Sequence, residues 1–170
     1  MPPSLGGHRT GPLSPDRSTA YDHPVDEEGP ATESAAAASA PLSYVDTVRH
    51  IQESLGRGDI LAPMAHLSRK VRWAVACADR DAAPFFKEYT GRQGVVAFMK
   101  DMDVVEMTDF EIKAVAGHGD LVFVWLHMAF IAPTGRTVDM DETQIWTFSE
   151  GKVIAVDLFP DTQAVAAAFA

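Results

Sequence analysis

Residues 121–148 read LVFVWLHMAFI, APTGR, TVDMDETQIWTF, two alternating runs joined by a turn, and their reading decides the fold. In the first run Val122, Val124, Leu126, Met128 and Phe130 share one parity, and Phe123, Trp125, His127 and Ala129 the other. In the second, Met140, Glu142, Gln144 and Trp146 alternate with Asp139, Asp141, Thr143 and Ile145. Period-two alternation on both sides of a Pro/Gly turn predicts a β-hairpin. Symmetric pairing about Thr134-Gly135, as in a two-residue turn, sets His127 opposite Glu142, Trp125 opposite Gln144, Phe123 opposite Trp146 and Ala129 opposite Met140. One face then mixes aromatic with polar groups. The other carries the apolar stripe from Val122 to Phe130 and needs a cover.

Further strands fit residues 108–115 before this hairpin and 152–159 after it, separated from it by Gly117 to Asp120 and Ser149 to Gly151. Ahead of the sheet the spacing is helical. Ser43 caps a helix carrying Tyr44, Val48, Ile51 and Leu55, and Gly56 and Gly58 end it. Asp59 caps a second, short helix with Leu61, Met64 and Leu67 that ends near Ser68. Alternation from Val71 to Cys77 predicts a strand, followed by a long loop. Thr90 and Gln93 have the spacing of a capping box, which opens a third helix bearing Val95, Phe98, Met99 and Met102. A last short helix starts near Asp161. Helices first and an antiparallel meander afterwards make an α+β fold, the helices covering one concave face of a curved sheet.

Composition sets outer limits. The chain has 170 residues, 46% hydrophobic and 22% charged, which is enough for one ordinary core and too little for two domains. Residues 1–40 hold six Pro, four Gly, five Ser and seven Ala, with Leu5, Leu13, Tyr21 and Val25 as their sizeable apolar side chains. They read as a disordered acidic tail ahead of a domain at 41–170. A net charge of -10 repels phosphate backbones and anionic lipid, so neither nucleic acid nor a membrane is an expected partner. The single cysteine, Cys77, suits a reducing compartment, and the chain reads as cytoplasmic. Cys77 itself reads as a small buried or half-buried hydrophobe.

The order of elements, with Gly58-Asp59 after the first helix, Gly91-Arg92-Gln93-Gly94-Val95 opening the third, and Trp146-Thr-Phe-Ser-Glu-Gly-Lys-Val153 at the last hairpin, resembles the nuclear transport factor two-like superfamily. Within it the chain is similar to the SnoaL-like polyketide cyclases. The resemblance implies a cystatin-like, cone-shaped fold and usually a homodimer. It also implies a choice among cyclases, isomerases, epoxide hydrolases, dehydratases and non-catalytic binding or adaptor modules. The catalytic positions of the steroid isomerases fall on Ile51, on residues 73–75 and on Gln144, so isomerisation by that chemistry is not implied. The cyclases use a late aspartate, whose counterpart is Asp157 or Asp161. Asp157 lines the cone if the last turn has two residues and points outward if it has three.

The mixed face of the hairpin is the expected pocket, because small-molecule sites are apolar with a few convergent polar groups. There Glu142 is the expected base, His127 its partner or the proton donor, and Gln144 a hydrogen bond to a substrate oxygen. Trp73, Trp125 and Trp146 form walls, with Phe123 and Met140 on the same face and Phe98 and Met102 reaching in from the third helix. A carboxylate in an apolar cavity is pushed up in pKa and a neighbouring imidazolium pulls it back, so such a pair exchanges protons near neutrality. A satisfied buried pair without chemistry fits the same pattern. Asp139 and Asp141 read as solvated charges, and no metal or cofactor is expected. The uncovered stripe from Val122 to Phe130 predicts a homodimer through the convex face. The expected activity is cofactor-free acid–base chemistry on an apolar, polyketide-like or polycyclic small molecule, with a binding module or dimerisation adaptor as the alternative.

Overall fold

The structure, a computed structural model, describes residues 43–170; the segment read as a tail lies outside the described residues. Helix α1 (Tyr44–Gly56) starts where the Ser43 side chain accepts from the Asp46 amide, and buries Val48 and Ile51. The Asp59 side chain accepts from the amides of Leu61 and Ala62 and opens a 3₁₀ turn, Ala62–Ala65. Leu67 already belongs to a strand, β1 (Leu67–Val75), so the second helix is one turn shorter than its apolar spacing suggests. The expected long loop contains a short strand, β2 (Glu88–Thr90), that pairs with β1. Thr90 is therefore in extended geometry and its side chain makes no cap to α2 (Gly91–Met102), so the expected capping box does not form. The meander follows as β3 (Glu106–His118), β4 (Leu121–Ile131), β5 (Thr137–Ser149) and β6 (Lys152–Phe159), and α3 (Thr162–Phe169) closes the chain.

The sheet order is β2-β1-β6-β5-β4-β3. It is mixed, not wholly antiparallel: β1 pairs antiparallel with β2 on one side and parallel with β6, the last strand, on the other. Irregular registers in β1, β3 and the β5–β6 pair interrupt the ladders. Such bulges bend a sheet and sharpen its twist.

The β4–β5 hairpin is displaced by one residue from the expected pairing. Its loop has three residues, Pro133, Thr134 and Gly135. Ala132 and Arg136 close it: the Gly135 amide donates to the Ala132 carbonyl and the Ala132 amide to the Arg136 carbonyl. Gly135 stands at φ 84°, the left-handed geometry that such a loop requires at its last position. Leu126 therefore faces Glu142, Val124 faces Gln144, Val122 faces Trp146 and His127 faces Asp141. A slip of one residue moves every β4 side chain to the other face. Val122, Val124, Leu126, Met128 and Phe130 thus join the core under the helices, where Val122, Val124 and Leu126 are fully buried. The stripe expected to be an uncovered convex patch is the inner wall of the domain. No helix among the described residues is long and apolar enough to cross a membrane.

Candidate functional site: a buried carboxyl in an aromatic and methionine cavity

Between the helices and the inner face of the sheet lies a cavity of about 390 Å³. Its walls come from every layer of the domain: Trp73 of β1, Phe98 and Met102 of α2, Met128 and Phe130 of β4, and Met140 of β5. Gln52, Asp103, Glu142 and Gln144 supply its ionisable and amide groups. Glu142 and Gln144 point inward because they share parity with Met140 and Trp146, whose neighbours across the ladder are the buried β4 residues. Gln52 reaches them from the buried stripe of α1.

These polar groups form one chain. Gln52 Nε2 donates to Gln144 Oε1 at 2.5 Å, and Trp146 Nε1 donates to the same oxygen at 2.9 Å. An indole nitrogen only donates, so it fixes which end of the Gln144 amide is oxygen. The amide nitrogen is thereby turned to Glu142 and donates to its Oε1 at 2.7 Å. Glu142 Oε2 makes no hydrogen bond among the described residues. Burial pushes the Glu142 carboxyl up to about 7, and the bond from Gln144 offsets only part of that. The Trp73 indole N–H, also buried, has no partner among the described residues. Trp73 stands edge-on to Trp146, with ring centres 5.4 Å apart, and tilted against Phe98 at 5.6 Å.

The other expected site residues lie on the outer face. His127 does not meet Glu142. Its Nδ1 lies 3.2 Å from Asp141 Oδ1, and its Nε2 lies 3.7 Å from Asp109 and 3.8 Å from Asp139. Asp141 also accepts from Lys113 at 2.7 Å and from the Trp125 indole at 3.2 Å. The Lys113 bond, foremost among these contacts, holds the Asp141 carboxyl below the usual carboxylate range. Asp139 and Asp141 are outward and solvent-exposed, as expected, and Asp141 is in addition bound by Lys113 and the Trp125 indole. Among the described residues no cluster of His, Cys, Asp and Glu is arranged to hold a metal ion. Trp125 and Phe123 are outward too, 48% and 38% exposed, so they are not cavity walls. Trp146 is wholly buried behind the cavity, where it fixes Gln144.

Asp157 also points outward, for a reason that turn length alone does not reveal. The last turn does have two residues, Glu150 and Gly151, both at positive φ, with Ser149 paired to Lys152 and Phe148 to Val153. Ile154 then bulges out, and the pairing resumes at Thr147 with Ala155. Asp157 is thereby set beside Ile145 and not beside Gln144. It accepts two bonds of 2.7 Å from Arg72 of β1.

With the cone, the apolar cavity and the inward acid in place, the family model described as a SnoaL-like domain matches residues 48–156. The chain belongs to the SnoaL-like domain family. Solved structures share the fold of this SnoaL-like chain at low identity. An NTF2-like protein of unknown function from Burkholderia pseudomallei is 20% identical with a TM-score of 0.65, the match covering 73% of this chain and 95% of that one. A candidate SnoaL-like polyketide cyclase from Mesorhizobium loti is 15% identical at 0.57, covering 69% and 98%. TerC, co-crystallised with polyporic acid, is 16% identical at 0.64, covering 74% and 96%. No curated protein matches the chain. In this SnoaL-like domain the polar cavity side chain that alternation in the sheet does not reveal is Gln52. Its signal was present: a polar residue at helical spacing among Val48, Ile51 and Leu55 has to find a buried partner.

Proposed function

We propose that the protein is a small-molecule enzyme whose Glu142 performs cofactor-free acid–base chemistry on an apolar, polyketide-like or polycyclic substrate, by cyclisation, isomerisation or dehydration. The observation that carries this reading is a single carboxyl, 6% exposed and titrating near 7, with one oxygen held by Gln144 and the other open to an apolar cavity. Near neutrality both of its protonation states are populated, which is what a general base that must return its proton requires. Ionised, Glu142 takes a proton from the carbon beside a substrate carbonyl; protonated, it gives the proton back from Oε2. Gln144 gives one N–H to Glu142 and so positions it, and its second N–H is a donor available to a substrate oxygen. Fold neighbours described as a candidate polyketide cyclase and as a complex with polyporic acid accord with a small-molecule ligand.

One observation favours a binding module instead: with His127 on the outer face, Glu142 has no second titratable group beside it. Exchange of the α-protons of β-tetralone into deuterated water separates the two readings. Wild-type protein should accelerate the exchange and Glu142→Gln should slow it by about 100-fold or more. Saturable binding of β-tetralone without accelerated exchange would favour the binding module.

The reading extends to assembly as a homodimer through the outer face. That surface presents Phe123, Trp125 and Phe159, each more than a third exposed, beside the Lys113–Asp141 and Arg72–Asp157 pairs.

A further inference from the structure

We propose that the preferred ligand of the cavity carries a positively charged nitrogen, as an aryl-alkyl ammonium or a protonated nitrogen heterocycle, and seats it against Glu142. The proposal rests on the cavity being a small-molecule site and does not require turnover there.

Its basis is a census of the lining. Two carboxyl groups, Glu142 and Asp103, face the cavity, and no Lys, Arg or His does. The elements packed around Glu142 add no other titratable group: α1 contributes Gln52, β1 Trp73 and Val75, β4 Met128 and Phe130, and β6 Leu158. Gln144 Oε1 takes two donors and one Gln144 N–H goes to Glu142, which leaves its second N–H as a neutral donor. The charged acceptor left to a ligand at the inner end is Glu142 Oε2 when ionised.

Three ligand charges have different fates there. An anion meets two carboxylates and no compensating cation, within a chain of net charge -10. A neutral ligand fits the apolar walls, but above neutrality it leaves Glu142 ionised and buried with one amide bond. A cation neutralises that charge, and Trp73, Phe85, Phe98, Phe110 and Phe130 line the cavity with aromatic rings, whose faces attract cations. Selection by charge is thus built into the lining itself.

The test uses the full chain and three probes of one ring system: a tetralin amine, β-tetralone and a tetralin carboxylate, titrated by the change in tryptophan fluorescence. At about pH 8.5 the amine should bind at least about tenfold more tightly than the ketone, and the carboxylate most weakly. At about pH 5, where Glu142 is protonated, the preference of amine over ketone should shrink to a few-fold. Glu142→Gln should bring the affinity ratio at the higher pH close to one, whereas Asp103→Asn should leave most of it. Equal binding of amine and ketone at the higher pH would overturn the proposal while sparing the small-molecule reading. So would a preference that survives Glu142→Gln or disappears with Asp103→Asn. Saturable binding of none of the three would overturn both. A circular-dichroism melt of each variant establishes that it is folded.

Discussion

Glu142 is a group whose usefulness works against the stability of the domain. Its carboxyl titrates near 7 when folded, above the ordinary value it regains on unfolding. Between those two values the folded state binds more protons than the unfolded state, so this residue makes stability fall as pH rises. Its full contribution is present below the unfolded value and is lost as pH passes through about 7. The expected loss is on the order of 3 kcal/mol. Urea melts at about pH 5 and pH 8 should show wild type losing more stability than Glu142→Gln across that interval. Identical pH profiles would sink the assignment. That Glu142 points inward is legible in the alternation of β5, since it shares parity with Met140 and Trp146. The fate of His127 is not, because its face depends on one residue of loop length between Ile131 and Thr137.

At the scale of elements, strand identity is legible and register is not. Pro133-Thr134-Gly135 reads equally well as a two-residue turn on Thr134-Gly135 or as a three-residue loop ending in a left-handed glycine, and the second prevails. At the last hairpin the turn has two residues, yet the bulge at Ile154 reverses what that length implies for Asp157. A bulge leaves little trace in composition, since the inserted residue belongs to the same strand alphabet as its neighbours. The role of this bulge can be tested by deleting Ile154, a residue that is 39% exposed. Deletion restores the simple ladder, turns Asp157 towards Gln144, and separates it from Arg72. A buried carboxylate stripped of its partner should cost about 3–5 kcal/mol. A deletion variant that melts with wild type would show that the bulge does not set this register. Strand β2 escapes the sequence for a different reason: three residues are too short for any period to register.

For the whole molecule, the exchange of faces in β4 moves the proposed assembly surface to the face bearing Phe123, Trp125 and Phe159. The stripe that seems to need a partner is covered by the chain's own helices, whereas Phe123 and Trp125, read as pocket walls, are on the outside. Light scattering at micromolar concentration should report about twice the 18.4 kDa chain mass. Phe123→Lys should give a folded monomer, while a monomeric wild type would remove the interface. The α+β class, the helical cover and the inward parity of β5 follow from periodicity; the parallel pairing of β1 with β6 does not, because no local pattern encodes it. That pairing also fixes an order of events. During synthesis β1 precedes its parallel partner by the length of the meander, and Arg72 waits 85 residues for Asp157. Until then β1 has only three-residue β2 beside it, so contacts this distant in sequence, slow to form in any chain, complete the sheet last. The newborn chain therefore carries one edge of β1 unpaired until β6 has been made, in the form most open to chaperones and to misassociation.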